Sequence, residues 1–235
     1  MSKRHREQQA MLLDMEARYE GPKVQKKKNL KPLEAKTEAQ AHYLMAIESK
    51  QLTFGIGPAG TGKTYVCTRY AAELLQRGEI QKIIVTRPAI EAGEGLGFLP
   101  GTIQEKFAPY FAPFRAVFDE VFGASAVDNM IKLGKIDIQP LEYIRGLTFD
   151  NCVVILDEGQ NTTPSQMKLF LSRIGRYAKV IVNGDVTQKD IPGISGLIDA
   201  VNRLEHLEAV GVIEFEEDDI VRSGLVRDII KAYRT

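Results

Sequence analysis

One octapeptide constrains this chain more than any other stretch. Gly57-Pro58-Ala59-Gly60-Thr61-Gly62-Lys63-Thr64 fits the pattern G-x-x-x-x-G-K-[ST], after a strand-like run from Leu52 to Ile56 and before a helix-compatible one from Tyr65 to Gln76. Glycines in such a loop let the backbone curl until its N–H groups converge on an anion, and the first turn of the next helix adds the positive end of its dipole. In that setting Lys63 would neutralise the β- and γ-phosphates of a nucleotide and the Thr64 hydroxyl would help hold Mg²⁺. An ordinary glycine-rich turn is the competing account, and the strand-loop-helix setting argues against it.

From Thr37 onward helical and strand-like segments alternate: helix Glu38 to Ser49, strand Leu52 to Ile56, helix Lys63 to Gln76, strand Lys82 to Thr86. This alternation predicts an α/β fold, a mostly parallel sheet with helices on both faces. Cys152 to Leu156 and Lys179 to Asn183 are near-continuous apolar runs of strand length, as central strands covered on both sides require. Between Phe107 and Phe122 apolar residues recur on one helical face, which Pro109 and Pro113 are expected to interrupt. The aromatic stripe of that face suits core packing, with base stacking as the alternative. An amphipathic piece from Ala126 to Leu133, strands Lys135 to Gln139 and Val212 to Phe215, and a helix from Leu225 to Tyr233 complete the pattern.

Charge is distributed unevenly. The 235 residues balance 31 Lys/Arg against 31 Asp/Glu, yet residues 1–36 carry ten basic and five acidic side chains, so that segment is +5 and the rest −5. Residues 1–35 are expected to form a basic, flexible or partly helical arm, and residues 36–235 the nucleotide-binding domain. The arm would meet nucleic acid or simply be solvated. Cys67 and Cys152 stand in apolar settings without metal-ligand spacing, as buried thiols of a reducing compartment would. With no signal-type apolar run and no stretch approaching eighteen apolar residues, the expectation is a cytoplasmic protein with no membrane partner.

Val153-Val154-Ile155-Leu156-Asp157-Glu158 is an apolar run ending in two carboxylates, about ninety residues after the loop. Asp157 at the end of a buried strand would hold Mg²⁺ through a coordinated water, and Glu158, projecting to the opposite side of the strand, would polarise an attacking water. A kinase needs no such base. Further on, Val180 to Gln188 reads as a second buried strand, a Gly184-Asp185 turn and a polar tip. Gln188 would bond the γ-phosphate or the water, or be the exposed end of a plain turn.

These residues also carry a family resemblance. Lys36 to Gln40, the loop Gly57 to Thr64, Thr86-Arg87-Pro88, Glu91-Ala92-Gly93-Glu94 with Leu96 to Gly101, Asp157 to Thr163, and Asn183-Gly184-Asp185 with Gln188 resemble, in order, the PhoH-like ATPases. That family is similar in its core to superfamily 1 helicases, so the resemblance implies a RecA-like P-loop NTPase with a single core. It implies an adenine-reading role for Gln40, against a surface helix residue. It implies contact with nucleic acid, or its coupling to the phosphates, for Arg87, against a salt-bridged loop arginine. Arg222 matches a late-motif arginine that would stabilise charge on the transferring phosphoryl group, against a capping role beside an acidic turn. Gln160 follows the Asp-Glu pair as in helicase-type motifs. Gly159 stands where alanine is usual and would loosen the turn.

The expected activity is therefore Mg²⁺-dependent ATP hydrolysis. Catalysis would fall to Lys63, Glu158, Gln188 and Arg222, metal binding to Thr64 and Asp157, and nucleotide binding to Gln40 and Gly57 through Tyr65. RNA or single-stranded DNA is the implied macromolecular partner, and a homo-oligomer, as large as a hexameric ring, the implied assembly. Two other readings stay open: a nucleotide-gated assembly switch that ignores nucleic acid, and a P-loop phosphotransferase using Arg173 and Arg176 as mobile cations.

Overall fold

A computed structural model describes residues 32–88, 103–144, 146–221 and 224, with the side chains of 103–108 left aside. The elements are α1 (Glu38–Ser49), β1 (Leu52–Ile56), α2 (Lys63–Arg77), β2 (Lys82–Arg87), α3 (Ile103–Phe122), α4 (Ala124–Lys132), β3 (Ile136–Pro140), β4 (Cys152–Leu156), α5 (Pro164–Leu171), β5 (Lys179–Gly184), α6 (Gly196–Leu204) and β6 (Val210–Glu214). The strands form one sheet in the order β3-β2-β4-β5-β1-β6, and every neighbouring pair is parallel. No described helix is long and apolar enough to cross a membrane.

Burial follows position in the sheet. β4, with a neighbour on each side and helices on each face, is buried at all five residues, whereas the edge strand β6 is only partly covered. On one face Leu52, Phe54, Ile84, Val154, Leu156, Val180 and Val182 pack against Met167 and Phe170 of α5 and Leu197 and Ala200 of α6. Residues of opposite parity, such as Ile83, Val85, Val153 and Ile155, are equally buried on the other face, where α2 packs across β2, β4 and β5. Helices thus cover both faces. One strand, β5, separates the loop-bearing β1 from the acid-bearing β4, which is the RecA-like form of the P-loop fold.

α3 runs unbroken through Pro109 and Pro113, against expectation. Each interior proline costs roughly 3 kcal/mol by removing a hydrogen bond and crowding the preceding turn. Both prolines are exposed, so water can reach the carbonyl that Pro113 leaves open at Pro109. The other side of the helix buries Phe111, Phe114, Val117, Phe118 and Val121, each worth roughly 1.5 to 3 kcal/mol, and burial wins. The described part of the aromatic stripe is core, apart from Tyr110, which is half exposed, and Phe122, which is partly buried. Two short helices, α5 and α6, have no counterpart in the sequence-based reading. Residues 1–31 of the basic arm, the helix expected from Leu225 to Tyr233 and the segment from Glu91 to Gly101 lie outside the described residues.

Candidate nucleotide site

The carboxyl ends of β1, β2, β4 and β5 converge at one edge of the sheet, where open α/β sheets bind their ligands. At β1 the chain enters the glycine loop. Gly57 has φ +144°, and a Cβ there would lie 2.3 Å from the carbonyl oxygen of Phe215, just past β6, so only glycine fits. Gly62, at φ +87°, caps α2, whose N-terminus opens into the loop. The backbone N–H of Val221 donates to Gly60 O (3.0 Å) and holds the loop from outside.

Lys63 is folded into this loop. Its ammonium donates to Gly57 O (2.7 Å), Pro58 O (2.8 Å) and Thr61 Oγ1 (3.1 Å), and lies 5.6 Å from the centre of the Phe215 ring. Burial lowers its pKa, while Asp185, Asp157 and Glu158 oppose that shift. All three donors are in use, so a phosphate gains this cation by exchange with loop oxygens. Gln40 is buried too, and does not behave as a surface residue: its amide donates to Thr61 O (2.8 Å) and accepts from Lys36 N (2.9 Å). Its nitrogen occupies the space that a Cβ on Gly62 would fill. As folded, Gln40 braces the loop.

The two acids do not diverge. β4 stops at Leu156, and Glu158 adopts a left-handed conformation (φ 54°, ψ 38°) that swings it back. Strand alternation therefore does not apply to it, and Asp157 and Glu158 line the same cavity. Asp157 is 8 % exposed, and burial pushes its carboxyl up to about 6, with the Arg87 guanidinium opposing. Arg87, at the end of β2, reaches both acids: one terminal nitrogen lies 2.5 Å from Glu158 Oε1 and 3.4 Å from Asp157 Oδ2. Its other terminal nitrogen donates to Tyr110 O of α3 (2.9 Å). Arg87 is thus salt-bridged as folded, from the end of a strand and not from a loop, with Asp157 and Glu158 as its partners.

A second tether comes from Gln160, fully buried two residues later. Its amide nitrogen donates to Glu158 Oε2 (2.6 Å) and to Gln188 O (3.3 Å), and its oxygen accepts from Asp185 N (3.1 Å). Gly184 permits this approach, since a Cβ there would stand 2.8 Å from that oxygen. The Gln188 side chain donates to Asp185 Oδ2 (2.9 Å) and reaches the cavity. Gly159 is packed against Val182 of β5 and buried, so the turn it makes is tight rather than loosened.

The cavity enclosed by these parts measures about 480 Å³. Its far wall is the proline-bearing side of α3, Pro113, Ala116 and Glu120, which sequence reasoning missed. Their spacing of three and four was the available signal, masked by the stronger aromatic periodicity of the opposite face. Tyr65 lines the cavity and donates to Glu120, which also takes Arg69 at 2.7 Å. The donors that face the cavity suit Mg²⁺: the Thr64 hydroxyl and the Asp157 carboxylate are hard oxygens, and a buried carboxylate disfavoured in its charged form gains from a cation. No cluster of three or more His, Cys, Asp or Glu placed to hold a metal occurs among the described residues, as befits an ion completed by phosphate and water.

The structure thus brings together Gly60, Gly62, Lys63, Thr64, Tyr65, Arg87, Asp157, Glu158 and Gln188. Gln40 lies behind the loop, and Arg222 lies outside the described residues. Both thiols are buried, Cys67 pushed up to about 12 and Cys152 to about 11 by burial. Cys67 is more than filler: it accepts from Asn183 Nδ2, whose other amide atom takes the Tyr43 hydroxyl.

A PhoH-like protein family model matches residues 32–234. Protein PhoH of Escherichia coli K12 is 52% identical over 206 residues, covering 86% of this chain and 58% of its own length. The PhoH-like protein of Bacillus subtilis 168 is 47% identical over 220 residues, 93% of this chain and 69% of its own. This chain therefore spans less than two thirds of the Escherichia coli relative. Among solved structures, the large terminase of a thermophilic bacteriophage, in complex with ADP, aligns at TM-score 0.49 and 13% identity, over 83% of this chain and 49% of that one.

Proposed function

The chain belongs to the PhoH family and is a P-loop NTPase, and from that premise we propose that it hydrolyses ATP in a reaction coupled to RNA or single-stranded DNA. One observation carries this reading: a phosphate cradle and a pair of strand-end acids share a single cavity. Loop N–H groups and Lys63 would take the β- and γ-phosphates, and Thr64 and Asp157 would hold Mg²⁺, which supplies charge neutralisation at the phosphate oxygens. Glu158 accepts the proton of the attacking water as its oxygen bonds to the γ-phosphorus and the bond to the β-phosphate oxygen breaks. Gln188 orients that water. A carboxylate placed like Glu158 serves a water or an acceptor hydroxyl alike, and it is the family resemblance that favours hydrolysis over phosphoryl transfer.

The finer parts of the proposal rest on the family resemblance and the sequence. Gln40 would read adenine, which requires its amide to leave Thr61 O. Arg222 would stabilise the transferring phosphoryl group, from its own subunit or from a neighbour in a ring. Residues 1–35 would act as a basic arm to the ATPase domain at 36–235, in a cytoplasmic homo-oligomer. The test is steady-state ATP hydrolysis with and without single-stranded RNA or DNA, at low and high salt, with Lys63→Ala as the blank. Salt-sensitive stimulation absent from the blank is the expected result. Turnover that no single strand alters would sink the coupling, and no turnover would sink the hydrolysis.

A further inference from the structure

Glu158 is the group cast as the base in this cavity, yet both of its oxygens are already acceptors. Oε1 is paired with Arg87 and Oε2 takes the amide of Gln160. A carboxylate so engaged has one lone pair committed on each oxygen, and the guanidinium on Oε1 competes with an incoming proton for the same negative charge. Of the two partners Gln160 is the fixed one, buried and bonded also to Asp185 N and Gln188 O.

Arg87 is less securely held. Its Nε is buried without a hydrogen-bond partner, its link to Asp157 is long at 3.4 Å, and its remaining bond goes to Tyr110 O on exposed helix surface. An N–H buried without a partner forgoes the hydrogen bond that water would give it, so this position of the guanidinium is not its most favourable environment. The side chain is also 18 % exposed, at the end of β2. A phosphodiester group offers a guanidinium the same forked geometry as a carboxylate.

We propose that Arg87 is a latch on Glu158: the ion pair holds the base out of use, and a single-stranded nucleic-acid backbone frees it by drawing the guanidinium away. The inference rests on the hydrolysis reading above and supplies its regulation. Arg87 is a positioning residue here, acting through Glu158 on the rate and not on nucleotide affinity. The two residues are 71 positions apart and meet because β2 and β4 are paired, so the latch is anchored in the sheet on both sides.

The test compares wild type, Arg87→Ala and Arg87→Lys. It measures ATP turnover with and without a uridine homopolymer, and binding of a fluorescent ADP in Mg²⁺ buffer. The latch predicts that Arg87→Ala raises basal kcat about two- to fivefold, the scale of one partly exposed ion pair, with unchanged KM and ADP affinity. The homopolymer should then add nothing further, and Arg87→Lys, which keeps the charge but not the fork, should fall between. If Arg87→Ala binds ADP normally and turns over no faster than wild type, the latch is wrong and the hydrolysis reading stands. If neither protein turns over ATP while both bind ADP, hydrolysis and latch fall together. Should Arg87→Ala lose ADP binding through misfolding, Arg87→Lys decides by the same split of kcat from KM.

Discussion

The two halves of the cavity are built by different means. The cradle itself is eight consecutive residues, three of them glycines at positive φ, with Lys63 bonded to oxygens within six positions of itself, and its distant braces, Val221 N at Gly60 O and the Gln40 amide at Thr61 O, meet backbone carbonyls. The acid side is assembled from β2, β4 and the tip of β5, and its contacts span up to 71 residues. Local construction makes the cradle depend on backbone geometry. Distant construction makes the acid side depend on side-chain partners, which is where adjustment of activity is possible without loss of binding.

The largest effect should follow from breaking the cradle. Gly57→Ala places a methyl group against Phe215 O in a backbone conformation that alanine rarely adopts, at a cost of about 3 kcal/mol or more. Thermal unfolding should fall by several degrees and nucleotide binding should be lost. On the acid side, Gln160→Ala leaves the buried Asp185 N–H and Glu158 short of partners, at about 1 to 3 kcal/mol. Here nucleotide binding should persist while turnover changes. If calorimetry and ADP binding show the two variants to be alike, the distinction between the halves fails.

Acidity offers a milder probe. The Asp157 carboxyl is raised, so its proton returns as pH falls through about 6, and Mg²⁺-dependent nucleotide affinity should drop below that point. For folding the sign is opposite to that of a salt-bridged acid. Ionised Asp157 subtracts from stability above about pH 6, and the penalty is relieved as pH falls from there toward the unfolded value near 4. ADP titrations at pH 5.5 and 7.5 check the first claim, and equal affinities would contradict it. The smallest effect concerns Cys67: buried and pushed up to about 12, it should resist alkylation until the protein unfolds, whatever nucleotide is present.

Legibility in the sequence divides along the same line. α1, β1 and β4 fall where periodicity and apolar runs place them, because each signal is contained in the segment itself. α5 and α6 are hidden by their length of eight and nine residues, although Thr163-Pro164-Ser165-Gln166 is a capping box with proline at the first helical position. The prolines of α3 suggest a break that core burial overrides. Strand alternation puts Glu158 on the wrong side, since nothing in its neighbours announces a left-handed residue after Asp157. The Arg87 and Gln160 tethers depend on the pairing of β2, β4 and β5, which no local pattern encodes.

The separation of the two halves is tested most directly by Glu158→Gln, an exchange that keeps shape and removes the carboxylate proposed as the base. Steady-state ATP turnover and Mg²⁺-ADP affinity should be measured on the same preparation. The expected result is a loss of about a hundredfold or more in turnover with affinity unchanged. Turnover undiminished, or binding lost along with it, would contradict a cradle that holds the nucleotide independently of the acid that consumes it.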